Sequence, residues 1–285
     1  MIELVLGTAN WGAAYGAPGR EALVDDATAV ELAELFLTTG HDLVDTAPAY
    51  GAAQSMVGRV LAGRARVVSK LSAVPDDPHV GVQVVAESCR RLRVDRLEAL
   101  LLHDAAAALA SPRAARALFA ALRDSGVAAR AGVSVYSPAE ALAAVDELGA
   151  DALQVPCNLL DQRFVSSGCL RELADRGVVV HLRSVFLNGV LLAEPESLAG
   201  RLAPLVEPVR RVRAVAQSHG VTPLQLSLAF ARRLAGVDAV VCGAYAADQL
   251  RPLLAAWAQE PPLRGDSLGD LDASAETATD PRTWR

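Results

Sequence analysis

The fold this sequence predicts is an α/β one, a closed, parallel, eight-stranded (β/α)8 barrel of the TIM type, and three observations predict it. Eight short apolar, β-branched runs alternate with longer Ala/Leu-rich segments, the alternation expected of repeated βα units. Each run is too continuously apolar for a strand with one wet face, as happens when parallel strands are covered on both sides. The 285 residues suit such a barrel, whose usual size is about 250 residues, and nothing resembling an interdomain linker breaks the series.

The first strand is ELVLG at 3–7. A helix over 25–40 follows, with Ala29, Leu32, Ala33 and Phe36 at i, i+3, i+4, i+7 on its inner face. HDLVDT (41–46), RVVSKL (66–71), EALLLHD (98–104) and RAGVSVY (130–136) are the next four strands. Behind the fifth, Ser137 at N-cap, Pro138 at N1 and Glu140 at N3 form a capping box, and Gly149 suits the left-handed position that ends the helix. Ala141, Ala144, Val145 and Leu148 are its inward residues. DALQVPC (151–157) and GVVVHLRS (177–184) come next, Thr222-Pro223 with Gln225 opens a later helix in the same way, and DAVVCGA (238–244) closes the barrel. Residues 1–258 therefore read as one barrel domain. From 259 to 285 periodicity is lost and Pro, Gly, Ser, Thr and Asp accumulate, which predicts a polar, loop-like C-terminal tail.

Composition narrows the function. With 27 Lys and Arg against 33 Asp and Glu, the net charge is −6, which disfavours a nucleic-acid partner. No apolar stretch reaches the roughly 18 residues that span a bilayer, and the start lacks a basic leader before an apolar block, so the expected location is cytoplasmic, with no membrane partner. Cys89, Cys157, Cys169 and Cys242 show neither paired nor zinc-type spacing with the five histidines and are expected as buried, reduced thiols, with no metal. Neither a G-x-G-x-x-G nor a P-loop motif is present, nor the G-x-S-x-G of a serine hydrolase.

In a barrel of this kind the chemistry sits at the C-terminal ends of the strands. There the apolar runs are interrupted: Asn10 follows the first strand, and Asp45, Lys70 and His103 close the second, third and fourth. Ser134, then Gln154 and Asn158, then Arg183 follow at later strands. Each has a plain structural reading, Asp45–Lys70 as a buried ion pair and His103 as a satisfied core histidine. Their convergence on one mouth favours chemistry. A carbonyl that receives hydride develops negative charge on oxygen and needs a proton donor. Tyr50 fits as that donor: its ordinary pKa is near 10, and a neighbouring Lys70 ammonium stabilises the phenolate. Asp45 would orient Lys70, and a neutral His103 would hydrogen-bond the substrate oxygen.

At these residues the sequence resembles the aldo-keto reductases. LVDTAPAYG (43–51) is similar to the family's Asp-Thr-Ala…Tyr-Gly signature and carries Asp45 and Tyr50; VSKL carries Lys70 and LLHD carries His103. The likeness runs from ELVLGTANWG to VVCGAYAADQL, and LGTANWGAAYG with HLRSVFLNG look most like bacterial members associated with sugar or secondary-metabolite pathways. It implies reduction of an aldehyde or ketone with NADPH or NADH, Tyr50 donating the proton. Ser134 and Gln154 are the implied binders of the nicotinamide carboxamide, and Asn158 lies towards the substrate. Arg183 stands where many members stack a tyrosine on nicotinamide. Gly243, Ala244 and Gln249 fall in the implied phosphate-binding stretch, yet residues 243–249 hold no Lys, Arg, Ser or Thr to grip a 2′-phosphate, and Asp248 opposes one. The choice between NADH and NADPH stays open on this reading. Trp11 and Phe186 are expected near the substrate. Two other functions stay open: a Schiff-base lyase using Lys70, and a barrel kept as a binding or regulatory subunit with weakened cofactor affinity. Oligomeric state is undetermined by the sequence.

Overall fold

The computed structural model describes residues 2–17, 22–259, 267–275 and 277–284. Eight parallel strands close in sequential order, β1 pairing with both β2 and β8. They are β1 (Glu3–Gly7), β2 (Leu43–Asp45), β3 (Arg66–Leu71), β4 (Ala99–Leu102), β5 (Ala131–Ser134), β6 (Ala152–Pro156), β7 (Val179–Arg183) and β8 (Ala239–Gly243). Every expected run holds one strand. The helices around them are α1 (Asp26–Thr38), α2 (Ala53–Leu61), α3 (Pro78–Leu92), α4 (Ala105–Ala110), α5 (Pro112–Asp124), α6 (Pro138–Ala143), α7 (Arg163–Ser166), α8 (Cys169–Asp175), α9 (Val206–Ser218), α10 (Pro223–Arg233) and α11 (Ala247–Ala258). The connections after β4, β6 and β7 thus hold two helices each, and α6 runs on into a π-helical turn, Ala144–Leu148.

Side-chain chemistry sets the helix starts. Asp25 accepts from the Thr28 amide at 2.8 Å, and the capping boxes at Ser137–Glu140 and Thr222–Gln225 both form. Asp77 and Asp104 cap α3 and α4 in the same manner, satisfying donors that a helix leaves unpaired at its start.

Period-two alternation divides each strand. Leu4, Leu6, Val44, Val67, Leu100, Leu102, Leu153, Val180, Leu182 and Val240 join the large core shared with the helices. Val5, Leu43, Val68, Ala99, Leu101, Ala152 and Ala239 form a separate apolar layer, the filling of the barrel. One step further along the same inward faces stand Gly7, Asp45, Lys70, His103, Gln154, Val241 and His181 or Arg183. The polar residues therefore occupy the layer directly above an apolar floor.

The tail differs in one respect from the expectation of a plain loop. Beyond α11 its described residues form only short 3₁₀ turns, Ser267–Leu271, Thr277–Thr279 and Pro281–Trp284, yet they dock. Leu271, Ala278 and Trp284 are buried, the Gln162 side-chain amide donates to Leu268 O at 2.7 Å, and the Ala273 amide donates to Leu160 O at 2.9 Å. A few isolated apolar anchors carry no periodicity, which is why pattern reading passes over them. Among the described residues no helix is long and apolar enough to cross a membrane, and no three His, Cys, Asp or Glu side chains cluster as for a metal. All four cysteines are buried and unpaired.

Candidate active site

Tyr50 owes its position to an interlock of two glycines. A Cβ on Gly12 would lie 2.1 Å from Tyr50 O, and one on Gly51 would lie 2.2 Å from Gly12 O. Gly51 also sits at φ +60°, a conformation that glycine adopts without steric cost. The loop after β2 is thereby pressed on the loop after β1. Thr8 secures the seam by donating from its amide and its hydroxyl to Asp45 O, at 3.0 and 2.9 Å.

Four side chains meet beside this interlock. Lys70 Nζ donates to Asp45 Oδ1 at 2.6 Å and Oδ2 at 2.7 Å, and to Thr46 O at 3.3 Å. Both partners are buried, Lys70 to 2 % exposure and Asp45 to 3 %. The ammonium lies 5.1 Å from the Tyr50 ring centroid. His103 meets the same ring edge-on, centroids 5.8 Å apart. Burial alone would drive the Lys70 ammonium towards its neutral form, but Asp45 and Tyr50 more than compensate and hold its pKa above the ordinary value. For Tyr50 burial is the larger influence and keeps the phenol protonated, with Lys70 pulling the other way. Burial, then the Lys70 charge, lowers His103 to about 4, so its ring is neutral near pH 7. Tyr50 and His103 are therefore both uncharged hydrogen-bonding groups beside one fixed cation.

Asp45 and Tyr50 border a cavity of about 530 Å³, lined also by Gln154, Arg183, Phe186 and Gly243 among others. Gly7 and Gly243 are register partners on β1 and β8 and both line it, so two absent side chains leave room at that rim. Asp248, Gln249, Pro252 and Leu253 of α11, with Tyr245, form one wall. Tyr15, after β1, donates from its hydroxyl to Asn188 Oδ1 at 3.2 Å, linking loops 173 residues apart at the cavity edge. Ser184, Leu187 and Asn188 there have φ of +59°, +47° and +51°, strain of the kind that collects at ligand clamps. A second cavity of about 460 Å³ lies at the other end of β3, among Arg66, Arg93, Arg96 and Glu98. Its Arg66 is already engaged by Glu3 and Asp42.

The remaining expected residues are placed differently. Gln154 lines the cavity, but its side-chain amide donates to Asp45 Oδ2 at 2.8 Å, so its nitrogen supports the acid. Ser134 is buried at the end of β5, in register with Gln154. Two expected substrate residues, Trp11 and Asn158, are not among the described residues that line the cavity. Trp11 is fully enclosed at 0 % exposure. Asn158 is spent on backbone, accepting from the Leu160 and Asp161 amides and donating to Ser184 O. Ala244 is buried beside Gly243, and Gln249 accepts from the Tyr245 amide at 3.2 Å. The strand-end rule misses Tyr15, Tyr245, Leu224, Pro252 and Leu253, which reach the cavity from loops and outer helices.

A closed parallel barrel with an acid, a lysine, a phenol and a neutral imidazole at its C-terminal mouth defines a site for proton transfer beside a small-molecule cavity. The chain belongs to the aldo/keto reductase family, whose model matches residues 3–276. This is an oxidoreductase family whose members generally use NAD(P)H and act on small-molecule carbonyl compounds. The fold is shared with a glycerol dehydrogenase from Gluconobacter oxydans, 22 % identical over 96 % of this chain and 92 % of that one, at a TM-score of 0.73. It is also shared with an aldo-keto reductase from Bacillus halodurans in its holo form, 20 % identical over 98 % and 95 %, at 0.74. No curated protein matches the sequence significantly.

Proposed function

We propose that this chain reduces a small aldehyde or ketone with NADH, Tyr50 delivering the proton to the carbonyl oxygen. The observation that carries the reading is the buried Lys70–Asp45 couple beside the ring of a phenol that lines a 530 Å³ cavity, a size typical of a ligand site.

The cavity fits a dinucleotide in three respects: glycine backbone at the β1–β8 rim, a wall at the amino end of the 12-residue α11, and Asp45 with Tyr50 among its lining residues. Bound there, reduced nicotinamide supplies a hydride to the carbonyl carbon. Tyr50 and neutral His103 hydrogen-bond the carbonyl oxygen, and the Tyr50 proton passes to it as negative charge develops. Lys70 stabilises the phenolate left behind, and Asp45, itself supported by Gln154, keeps Lys70 charged and aimed. Arg183 is the one cation among the described lining residues, whereas Asp248 stands on the α11 wall. A carboxylate there accepts from ribose hydroxyls and repels a 2′-phosphate, which supports NADH over NADPH.

The Schiff-base alternative loses ground on the same geometry. An amine must shed its proton to attack a carbonyl, and Asp45 at 2.6 Å holds Lys70 as ammonium.

Titration of the intrinsic fluorescence with NADH and NADPH, followed by dinucleotide oxidation against a panel of aliphatic and aromatic aldehydes, tests the proposal. NADH is expected to bind more tightly, and Tyr50→Phe to lower kcat by about 10²–10⁴-fold with NADH affinity unchanged. Full turnover by Tyr50→Phe, or no binding of either dinucleotide at millimolar concentration, overturns it.

A further inference from the structure

Arg183 lines the cavity beside Asp45 and Tyr50, and its guanidinium is held by more than its own strand. Nη2 donates to Val135 O at 3.1 Å and Nη1 to Ser184 Oγ at 3.4 Å, while Cζ lies 4.2 Å from the ring centroid of Tyr136. That ring carries a second guanidinium. Arg282, from the last turn of the tail, places Cζ 3.8 Å from the same centroid. Two planar cations at that height cannot share one face of a six-membered ring without overlapping, so Tyr136 lies between them.

Each layer of the stack is anchored separately. The Tyr136 amide donates to Glu140 Oε2 at 2.6 Å, which ties the ring to the capping box of α6. Arg282 is clamped by Asp280, through Nε at 3.0 and 2.9 Å and Nη2 at 2.5 Å. The turn that carries both is closed by Trp284 Nε1 donating to Ala278 O at 2.9 Å, with Trp284 buried, and by Arg201 Nη1 donating to Thr283 O at 2.9 Å. A residue 99 positions beyond Arg183 thus packs on the ring that packs on it.

We propose that Arg282 is a positioning residue for the active site: through the ring of Tyr136 it fixes the guanidinium of Arg183 at the cavity wall. A free arginine side chain has many rotamers, and the ordering must be met on binding unless the fold has already met it. Tyr136 and Arg282 provide that ordering in advance. The tail acts as a brace, since none of its described residues lines the cavity. The magnitude of the effect on binding rests on the dinucleotide reading above, and the stack itself does not.

Two measurements on the full chain test the brace, one of them independent of any ligand. In side-chain ¹⁵N spectra the Arg183 Nε–Hε signal, assigned by its loss in Arg183→Lys, is expected to be ordered and slow to exchange in the parent protein and mobile in Arg282→Ala. NADH affinity, read by fluorescence, is expected to weaken about threefold to tenfold in Arg282→Ala, as for loss of one half-exposed guanidinium–aromatic stack. KM for NADH should rise by more than kcat falls. In an Arg183→Ala background Arg282→Ala should add nothing, whereas general loosening of the fold lowers affinity in both backgrounds and lowers Tm. Tyr136→Phe, which keeps the ring, should behave as the parent, and Tyr136→Leu as Arg282→Ala. An unchanged Arg183 signal in Arg282→Ala, or an equal effect in both backgrounds, overturns the proposal. If the parent binds neither NADH nor NADPH, the reductase reading fails and the spectroscopic arm decides the brace alone.

Discussion

Removal of Lys70 is the most informative perturbation, because its ion pair with Asp45 is both a stability element and the source of the field at Tyr50. At 2.6 Å and an effective dielectric constant of about 20, two unit charges attract by about 6 kcal/mol. Much of that offsets the cost of taking both ions out of water, so the pair as a whole contributes little. Breaking it is another matter. In Lys70→Met, Asp45 remains buried with the Gln154 amide as its one side-chain donor, and the expected cost is about 3–5 kcal/mol. In Asp45→Asn the ammonium keeps Thr46 O as an acceptor, with a cost of the same order. The double variant carries no orphaned charge and should be more stable than either single one, so the cycle should show a coupling of at least about 2 kcal/mol. Urea unfolding of the four proteins at pH 7, followed by far-ultraviolet circular dichroism and tryptophan fluorescence, measures this. Additive single effects, or a Lys70→Met cost below about 1 kcal/mol, would mean that water screens the pair. The tuning of Tyr50 by Lys70 would then lose its physical basis.

The other predictions concern the groups around that pair. His103 is held at about 4 against about 6.5 in an unfolded chain, so between these values the unfolded state takes up a proton that the folded state refuses. Its contribution is intact above pH 6.5 and is lost as pH falls through 4, to a total of about 3 kcal/mol; urea midpoints from pH 7 to pH 4.5 should fall more steeply for the parent than for His103→Gln. Gly12→Ala drives a methyl to within 2.1 Å of Tyr50 O, and the displaced phenol should cost about 10²-fold in kcat with the circular dichroism spectrum preserved. Asp248→Arg should shift the ratio of NADPH to NADH dissociation constants towards NADPH by about tenfold or more; an unchanged ratio would remove Asp248 from the cofactor wall.

The frame of the barrel was legible because it rests on local signals. Asp25, Ser137 and Thr222 cap helices through neighbours three residues away, and period-two alternation puts Asp45, Lys70 and His103 on inward faces whatever the rest of the chain does. What escaped depends on long-range packing. The direction of the Gln154 amide is a rotamer choice made by Asp45, 109 residues away. The full burial of Trp11 is likewise a product of tertiary packing. The Arg183–Tyr136–Arg282 stack joins three segments through flat faces, and no pattern of spacing records that.

The stacking of polar on apolar layers inside the barrel ties stability to chemistry. Val5, Leu43, Val68, Ala99, Leu101, Ala152 and Ala239 fill the space beneath the tetrad, so water reaches Lys70 from the mouth alone. In a dry surrounding the ammonium acts on Tyr50 with less screening than at a surface, but the same dryness raises the cost of phenolate. Both influences appear on Tyr50, and burial is the larger while the phenol holds its proton. Proton delivery reverses the balance only when a developing alkoxide offers the proton a better site and Lys70 receives the charge left behind. A wetter floor would ease ionisation of Tyr50 before substrate arrives and weaken the Lys70 field at the moment it is needed. Enlarging a floor residue, Ala152→Ser for example, should therefore perturb the pH dependence of turnover through Lys70 even though it touches no reacting atom.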